Sequence, residues 1–370
     1  MRDRINIPAL VNLWVPVLCL ALATGCTREE AIGGPESGTQ SEIHFFTSTQ
    51  TRAGGSGLAT SAKVRIYPYH QKTGVTAPII ADGKEYVADA TNGTTLNPAG
   101  TEAKNMVLPA GTFRFYAVST NSTTEVPMFD TVADGGYPTN GSSNSTTALA
   151  NGIDYLHTVA VKEIQFGKGQ DIALDFKHAG TQVQLTIQFG ETACAESPDA
   201  AAGFAEADVW VQQTNVTGAY MYLNDGQIRL GNHVGLPPLP CETSGQPDES
   251  KMAKMAVKKD GTPAAGSAIP ANQVATYTML PLAKSESGSQ KMAVKVVIKN
   301  LKVGTEVATT HTYTGLLEAS AGWNPGESNR YTLILKGNEI QFSNVTVADW
   351  ETGTTGMVGN VTDNSSSTTP

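Results

Sequence analysis

The stretch that decides the fold is Thr181-Gln-Val-Gln-Leu-Thr-Ile-Gln-Phe189. Its apolar side chains, Val183, Leu185, Ile187 and Phe189, alternate with glutamine and threonine. One face of an extended chain is therefore apolar and the other is polar. This alternation is typical of an antiparallel strand that covers a core with one face and meets water with the other. The stretch predicts a sheet of a β-sandwich.

The rest of the chain has the composition of strands and turns. Gly 37 and Pro 19 are plentiful, only 16% of residues are charged, and Thr, Ser, Asn and Val dominate long regions. This composition suits twisted strands joined by turns, and helical stretches are hard to find. We predict an all-β fold. Residues 26–370 are too many for one compact β domain and are sufficient for two.

We predict the boundary between the two domains near residue 169. Phe166-Gly-Lys-Gly-Gln170 breaks the preceding strand, and the most regular alternation begins just after it with Ile172, Leu174 and Phe176. Residues 231–271 have few apolar anchors and predict a long loop or insertion. The predicted parts are a signal peptide, a flexible lipidated tether, an N-terminal β-sandwich domain, a C-terminal β-sandwich domain and a polar tail, in residues 1–25, 26–40, 41–169, 170–350 and 351–370.

The first 25 residues have the features of a secretory signal. Arg2 and Arg4 precede an apolar run over residues 10–23, and small residues then lead into Cys26. A cysteine directly after Ala23-Thr24-Gly25 is typical of a lipobox, in which the thiol receives a lipid. We expect Cys26 to be lipidated. The alternative is an ordinary signal peptide followed by a chance cysteine.

A short strand follows the tether and ends before a basic residue. Ile43, Phe45 and Thr47 alternate with their neighbours, which predicts one buried face. Arg52-Ala53 lies between this strand and a glycine-rich hinge that ends at Gly57. We therefore expect a trypsin-like protease to cut between Arg52 and Ala53. The alternative is that Arg52 lies in a leader that is nicked without consequence.

Two cysteines remain in the predicted folded part, Cys194 and Cys241. Export exposes a chain to oxidising conditions, which permit a disulfide between them. Two unpaired thiols on loops are the alternative, because spacing along the chain does not show proximity in space.

Charge and motifs argue against several functions. A formal net charge of −9 disfavours an electrostatic grip on nucleic acid. The chain has no Gly-x-Ser-x-Gly elbow, phosphate loop, His-Glu-x-x-His, EF-hand loop or Cys-x-x-Cys pair. Its six histidines show no metal-ligand spacing, and we expect His178 to be a hydrogen-bonded packing residue. We predict no enzyme activity, no cofactor and no metal.

Three aromatic residues on predicted strands, Trp210, Tyr220 and Tyr222, leave two interpretations open. Flat rings stack on sugars, so the three side chains could line a sugar-binding face. Aromatic residues on strands more often belong to the core. Their exposure decides between the two.

In the order of its motifs the chain resembles the fimbrillin family, the pilin subunits of type V pili of Gram-negative gut and oral anaerobes. The motifs are the lipobox with its tether, Ile43-His-Phe-Phe46 before Thr51-Arg52-Ala53, Asp154-Tyr-Leu156, Leu174-Asp-Phe-Lys-His178, Trp323-Asn-Pro-Gly326 with Tyr331, and Asp349-Trp350. The resemblance implies two transthyretin-like β-sandwich domains in tandem after a lipoprotein signal peptide. It also implies that an Arg-specific protease cuts after Arg52, and that a strand of another subunit replaces the first strand.

The resemblance thus predicts a structural or adhesive pilin subunit at the outer membrane or cell surface, in a pilus. The expected partners are other pilin subunits, lipoprotein-processing enzymes, the Arg-specific protease, the outer membrane through lipid before cleavage, and a host or bacterial surface ligand. The rival interpretation is a non-polymerising surface lipoprotein that binds glycan or a host protein. Loss of residues 26–52 with a ladder of polymers favours the pilin, whereas a surviving lipid without oligomers favours the rival.

Overall fold

The computed structural model describes residues 40–47, 58–70, 79–80, 83–100, 103–129, 149–189, 206–230, 233–239, 249–260, 271–283, 290–301, 309–336 and 339–349. The regular structure in these residues is almost entirely β, with one short 3₁₀ turn at Glu249–Lys251. No helix within these ranges is long and apolar enough to cross a membrane. The prediction of an all-β fold is confirmed.

The strands are numbered in chain order. They are β1 Gln40–Thr47, β2 Lys63–His70, β3 Ile79–Ile80, β4 Lys84–Ala88, β5 Thr95–Pro98, β6 Met106–Pro109, β7 Gly111–Ser119, β8 Leu156–Ile164, β9 Gln170–Leu174, β10 Lys177–His178, β11 Thr181–Phe189, β12 Glu206–Gln212, β13 Ala219–Met221, β14 Ile228–Leu230, β15 His233–Val234, β16 Met252–Lys254, β17 Ala256–Asp260, β18 Asn272–Met279, β19 Leu282–Ala283, β20 Gln290–Leu301, β21 Thr309–Ala319, β22 Gly322–Trp323, β23 Glu327–Lys336 and β24 Glu339–Asp349.

The strands from β1 to β10 form a single ten-stranded sheet. Its order is β10-β8-β7-β2-β4-β5-β1-β6, with β3 added to β2 and β9 added to β1. One face of this sheet carries the first core, a cluster of buried apolar side chains to which β1, β2 and all the strands from β4 to β9 contribute. The alternation of Phe113, Phe115 and Ala117 in β7 places all three side chains in this core.

The rest of the chain forms two larger sheets that share a second core. The five-stranded sheet has the order β17-β18-β11-β23-β24, and the four-stranded sheet has the order β16-β12-β20-β21. The deciding stretch is β11, which is antiparallel to β18 and parallel to β23. Its side chains Val183, Leu185 and Ile187 are fully buried against apolar side chains of β12 and β20. Two sheets packed over one core form a sandwich.

A third apolar cluster, the junction cluster, lies on the opposite face of the first sheet. There Tyr67 and Tyr69 of β2 and Tyr116 of β7 are buried together with Met221 and Ile228 of the small sheet β13-β14-β15. Because β2 and β7 also supply side chains to the first core, both faces of the sheet are covered at these two strands.

Polar side chains fix the same junction. Asn151 precedes β8, and its Oδ1 accepts hydrogen bonds from Thr214 Oγ1 at 2.7 Å and from the backbone nitrogen of Leu280 at 3.0 Å. Its Nδ2 donates to the carbonyl of Thr214 at 2.7 Å. Nearby, His178 Nδ1 lies 2.6 Å from Asp154 Oδ1. The motifs Asp154-Tyr-Leu156 and Leu174-Asp-Phe-Lys-His178 therefore meet in space.

The structure corrects the predicted boundary at residue 169. β9 pairs in parallel with β1, and β10 pairs with β8, so residues 170–178 belong to the first sheet. Ile172, Leu174 and Phe176 lie in the first core rather than the second. We place the change of sheet at Ala179-Gly180, just before β11. That each half is a transthyretin-like domain stays a prediction.

Residues 231–271 are also less irregular than predicted, because β15, the 3₁₀ turn, β16 and β17 lie within them. Met252 and Met255 are buried there and supply the apolar anchors. Pro68 lies inside β2, which continues to His70. It stands where the pairing of β2 changes from β4 to β3, so its missing N–H breaks no ladder on that side.

Candidate functional site

The candidate functional site is the groove that β1 occupies. On one edge, β1 pairs antiparallel with β6 through residues 40–43 and with β5 through Phe45 and Phe46. On its other edge it pairs in parallel with β9 through residues 43–47. The first strand of the described chain is therefore an interior strand, and it connects strands that do not otherwise pair with one another in the described residues.

The inward face of β1 consists of Ser41, Ile43, Phe45 and Thr47, all of which are buried. The Phe45 ring meets two other rings edge to face, with centroids 5.2 Å from Tyr86 and 5.5 Å from Phe115. Two large apolar side chains thus fill the groove, whereas the two inward positions nearest the strand ends carry hydroxyl groups.

Those hydroxyl groups are hydrogen-bonded to the walls of the groove. Ser41 Oγ donates to the carbonyl of Gln165, which follows β8. Thr47 Oγ1 donates to the carbonyl of Gly93 at 3.2 Å, and the Thr47 backbone nitrogen donates to the carbonyl of Thr94 at 2.7 Å. Both ends of β1 are therefore held by polar contacts that a replacement strand would have to reproduce or leave unpaired.

Tyr86 forms part of the floor of the groove. Its hydroxyl oxygen accepts a hydrogen bond from the backbone nitrogen of Met106 at 3.0 Å, which ties β4 to the start of β6. Burial raises the pKa of Tyr86 to about 12, with the backbone hydrogen bond from Met106 opposing the rise. The Tyr86 hydroxyl therefore stays uncharged throughout the physiological pH range, which suits a groove that holds the apolar ring of Phe45.

The outward face of β1 is exposed and polar, apart from Phe46 at 39% exposure. Asn105 Nδ2 donates to Glu42 Oε1 at 2.7 Å and lies 3.2 Å from His44 Nδ1. These contacts lie at the surface and contribute little to the retention of the strand.

Several predicted site residues lie outside the described residues: Cys26, Arg52, Ala53, Cys194 and Cys241. Lipidation at Cys26, cleavage between Arg52 and Ala53, and a Cys194–Cys241 disulfide stay predictions. Arg52-Ala53 falls in the segment that joins β1 to the rest of the first sheet, five residues after Thr47.

The remaining candidate residues lie in the part of the chain that the structure describes. Trp210, Tyr220 and Tyr222 are half-buried and belong to none of the three cores, so the core interpretation is wrong for them. They are not one platform, because Trp210 lies on β12 beside Lys254, whereas Tyr220 and Tyr222 lie on or next to β13 with ring centroids 5.4 Å apart. His178 is a hydrogen-bonded packing residue, as predicted.

Two features of the site were not foreseen. One is the parallel pairing of β9 with β1, which no local pattern in the sequence indicates. The other is the role of Tyr86, whose alternation with the buried Ala88 is the only available signal. Among the described residues no three His, Cys, Asp or Glu side chains are placed to hold a metal ion.

Fold and site together define an all-β protein whose first strand fills an interior position of its own sheet and is joined to it by a segment that contains an arginine. A family model described as fimbrillin-like matches residues 51–350. The chain belongs to the fimbrillin-like family.

A search of curated proteins gives no match. Solved structures that resemble the chain include a candidate cell adhesion protein from Bacteroides uniformis, with 17% identity and a TM-score of 0.47, covering 86% of this chain and 100% of that one. A candidate cell adhesion protein from Bacteroides ovatus has 14% identity and a TM-score of 0.47, covering 84% and 97%. The fimbrial anchor protein Mfa2 from Porphyromonas gingivalis has 10% identity and a TM-score of 0.34, covering 84% and 97%.

Proposed function

We propose that the chain is a structural or adhesive subunit of a type V pilus, in which a strand from another subunit replaces β1 after proteolysis. The family supports a pilin or an adhesive surface protein, and a pilus at the cell surface is the place where such a protein works. That a strand from another subunit replaces β1 goes beyond what membership of the family supports.

One observation carries this proposal: β1 is an interior strand that a single cut can release. It pairs with β5 and β6 on one edge and with β9 on the other, while its only covalent link to those strands runs through residues 48–57. A cut between Arg52 and Ala53 severs this link and leaves only non-covalent contacts to hold β1. No other strand of the first sheet is both terminal in the described chain and paired on two edges.

The contacts of β1 indicate how much free energy an incoming strand could recover once β1 has left the groove. Burying Ile43 and Phe45 contributes roughly 1.5 to 3 kcal/mol each, or about 3 to 6 kcal/mol gross for the two. A strand with three or four inward apolar residues would contribute more free energy of burial than these two. Losing β1 also exposes the backbone groups of β5, β6 and β9 along the groove, and open edges of this kind pair readily with another strand. An incoming strand recovers both contributions, less the cost of its own ordering.

Export completes the proposed route. Lipid on Cys26, including a palmitate chain, would hold the uncleaved subunit at the outer membrane, and residues 27–40 would tether the fold to it. Cleavage after Arg52 by an Arg-specific protease would remove the lipid and β1 together. The same event would thus release the subunit from the membrane and open its groove.

The test is to express the wild-type chain, Arg52→Ala and a chain that starts at Ala53 in a cell that carries the protease, and to run cell-surface extracts on gels without boiling. We expect polymers from wild type and none from Arg52→Ala. The chain that starts at Ala53 should polymerise without cleavage if it reaches the surface. Arg65→Ala, which changes an arginine in β2, is the matched control and should polymerise. Equal amounts of polymer from wild type and Arg52→Ala would refute the release of β1 by cleavage after Arg52. Absence of polymer from all the chains would favour a non-polymerising surface lipoprotein.

A further inference from the structure

We propose that a cavity at the junction of the two halves of the chain binds a neutral saccharide. The cavity has a volume of about 770 Å³ and lies where the edge of the first sheet, the β13–β14 hairpin and the turn before β23 meet. Protein sites for small ligands commonly have a volume of about 300 to 1,000 Å³ and often lie between domains. The proposal is independent of strand exchange, since no residue of β1 lines the cavity.

The lining is rich in groups that bind hydroxyls. Asp175 lies between β9 and β10, Lys177 begins β10, and Asp225 and Gln227 come from the hairpin. Carboxylate and amide groups offer paired acceptors or donors in one plane, and such pairs match neighbouring hydroxyl groups on a sugar ring. Pro325 and Gly326 of the Trp323-Asn-Pro-Gly326 turn close the third side.

Hydrogen bonds within the protein hold the hairpin wall of the cavity in place before any ligand binds. Asp225 Oδ1 accepts from the backbone nitrogen of Gln227 at 2.9 Å, and Asp225 Oδ2 accepts from Arg229 Nη2 at 2.6 Å. His157 Nε2 lies 2.6 Å from the carbonyl of Leu223 and anchors the hairpin to β8. Gly226, with φ of +69°, packs so closely that a Cβ there would lie 2.4 Å from His157 Cγ. Each carboxylate oxygen of Asp225 has capacity for a second hydrogen bond.

An aromatic surface adjoins this wall. Arg229 lies over the Tyr222 ring at 4.4 Å from its centroid, and the Tyr220 ring meets Tyr222 edge to face. Asp225 links the two regions, because it lines the cavity and pairs with Arg229. Neither ring lines the cavity itself, so a ligand would reach this surface only by extending past Asp225.

The charge of the cavity lining favours a neutral saccharide over an acidic one. Asp225 is neutralised by Arg229, and Asp175 shares the cavity with Lys177, so the lining presents no excess of either sign. An acidic sugar would need a surplus of cations, which the lining does not supply. A metal-bridged sugar is also disfavoured, because the described residues contain no cluster of metal ligands.

The test uses the full chain and a panel of neutral and acidic oligosaccharides, with binding measured by saturation-transfer NMR and calorimetry. Asp175→Ala and Asp225→Ala should each weaken the binding of a neutral oligosaccharide about tenfold or more, as expected when a hydrogen bond to a charged group is lost. Asp171→Ala is the matched control, because Asp171 is an exposed carboxylate on β9 that does not line the cavity. It should leave binding unchanged.

Circular dichroism confirms that each variant is folded. If Asp225→Ala unfolds, Asp175→Ala and Gln227→Ala carry the comparison. Absence of binding to the whole panel, a preference for acidic sugars, or equal affinity of the Asp171 and Asp175 variants would overturn the proposal. None of these results depends on polymer formation, so this test and the test of strand exchange can fail separately.

Discussion

Truncation of Phe45 to alanine should loosen β1 far more than truncation of its neighbour Phe46. The Phe45 side chain is 1% exposed and meets Tyr86 and Phe115 edge to face, whereas Phe46 is 39% exposed on the opposite side of the same strand. Replacing a buried phenylalanine by alanine costs about 3 to 5 kcal/mol through lost burial and the cavity left behind. A largely exposed position usually changes stability by less than about 0.5 to 1 kcal/mol.

The assay is urea unfolding of the uncleaved chain, followed by circular dichroism, with Arg52→Ala in every sample to prevent cleavage. Hydrogen exchange of the β9 amides gives a local measurement, because β9 pairs with β1. In Phe45→Ala the β9 amides should exchange faster by a factor of about 100 or more, the rate equivalent of 3 kcal/mol. Phe46→Ala should exchange like the parent. If the two variants lose equal stability, or if Phe45→Ala loses less than about 1 kcal/mol, the groove does not depend on this ring and the reasoning is wrong.

Four shorter predictions follow. Metabolic labelling with a palmitate analogue should mark wild type and not Cys26→Ala; equal labelling would contradict lipidation at this residue. Mass spectrometry without reductant should show Cys194 joined to Cys241, a bridge that closes a loop of about 48 residues and stabilises the fold by roughly 4 kcal/mol in the chain-entropy model; two free thiols would exclude it. Burial lowers the pKa of His157 below its usual 6.5, so the unfolded chain binds the proton first and stability should fall as pH drops below 6.5; His157→Gln should lose that part of the dependence, and an unchanged pH profile would contradict it. A chain that ends at residue 350 should no longer polymerise if residues 351–370 supply the donor strand; undiminished polymers would place the donor elsewhere.

Local patterns in the sequence predicted the strands well. Alternation in Thr181–Phe189 and around Ile43 and Phe45 identified both the strands and their buried faces, because side-chain direction in a strand has a period of two residues. The same signal failed at Ile172 and Leu174. It shows that a strand has an apolar face, but it does not show which sheet the strand joins. The parallel pairing of β9 with β1 connects residues about 130 positions apart, and only the tertiary structure reveals it.

The site was predictable in part. The position of β1 ahead of Arg52 is visible in the sequence, and so is the alternation that buries Ile43 and Phe45. The junction cavity was not predictable, because its walls come from three separate parts of the chain. The sequence left open whether Tyr220 and Tyr222 lie in a core or on a surface, since a tyrosine on a strand carries no local sign of whether its sheet is covered. Strands β13 and β14 bury their opposite face, with Ala219, Met221 and Ile228, in the junction cluster.

If β1 is exchanged as proposed, the separation of the three apolar clusters would confine the direct loss of apolar contacts to the first core. Ile43 and Phe45 belong to the first core, and no residue of β1 contributes to the second core or to the junction cluster. The junction cluster lies on the opposite face of β2 and β7, where Tyr67 and Tyr116 pack under the small sheet. Removing β1 would therefore open the first core and take from β6 and β9 the strand with which they pair, while the contacts of the junction cluster would stay in place. Under the proposed function, a subunit built in this way would accept a partner's strand in its first sheet and keep the buried contacts of the junction cluster and the second core.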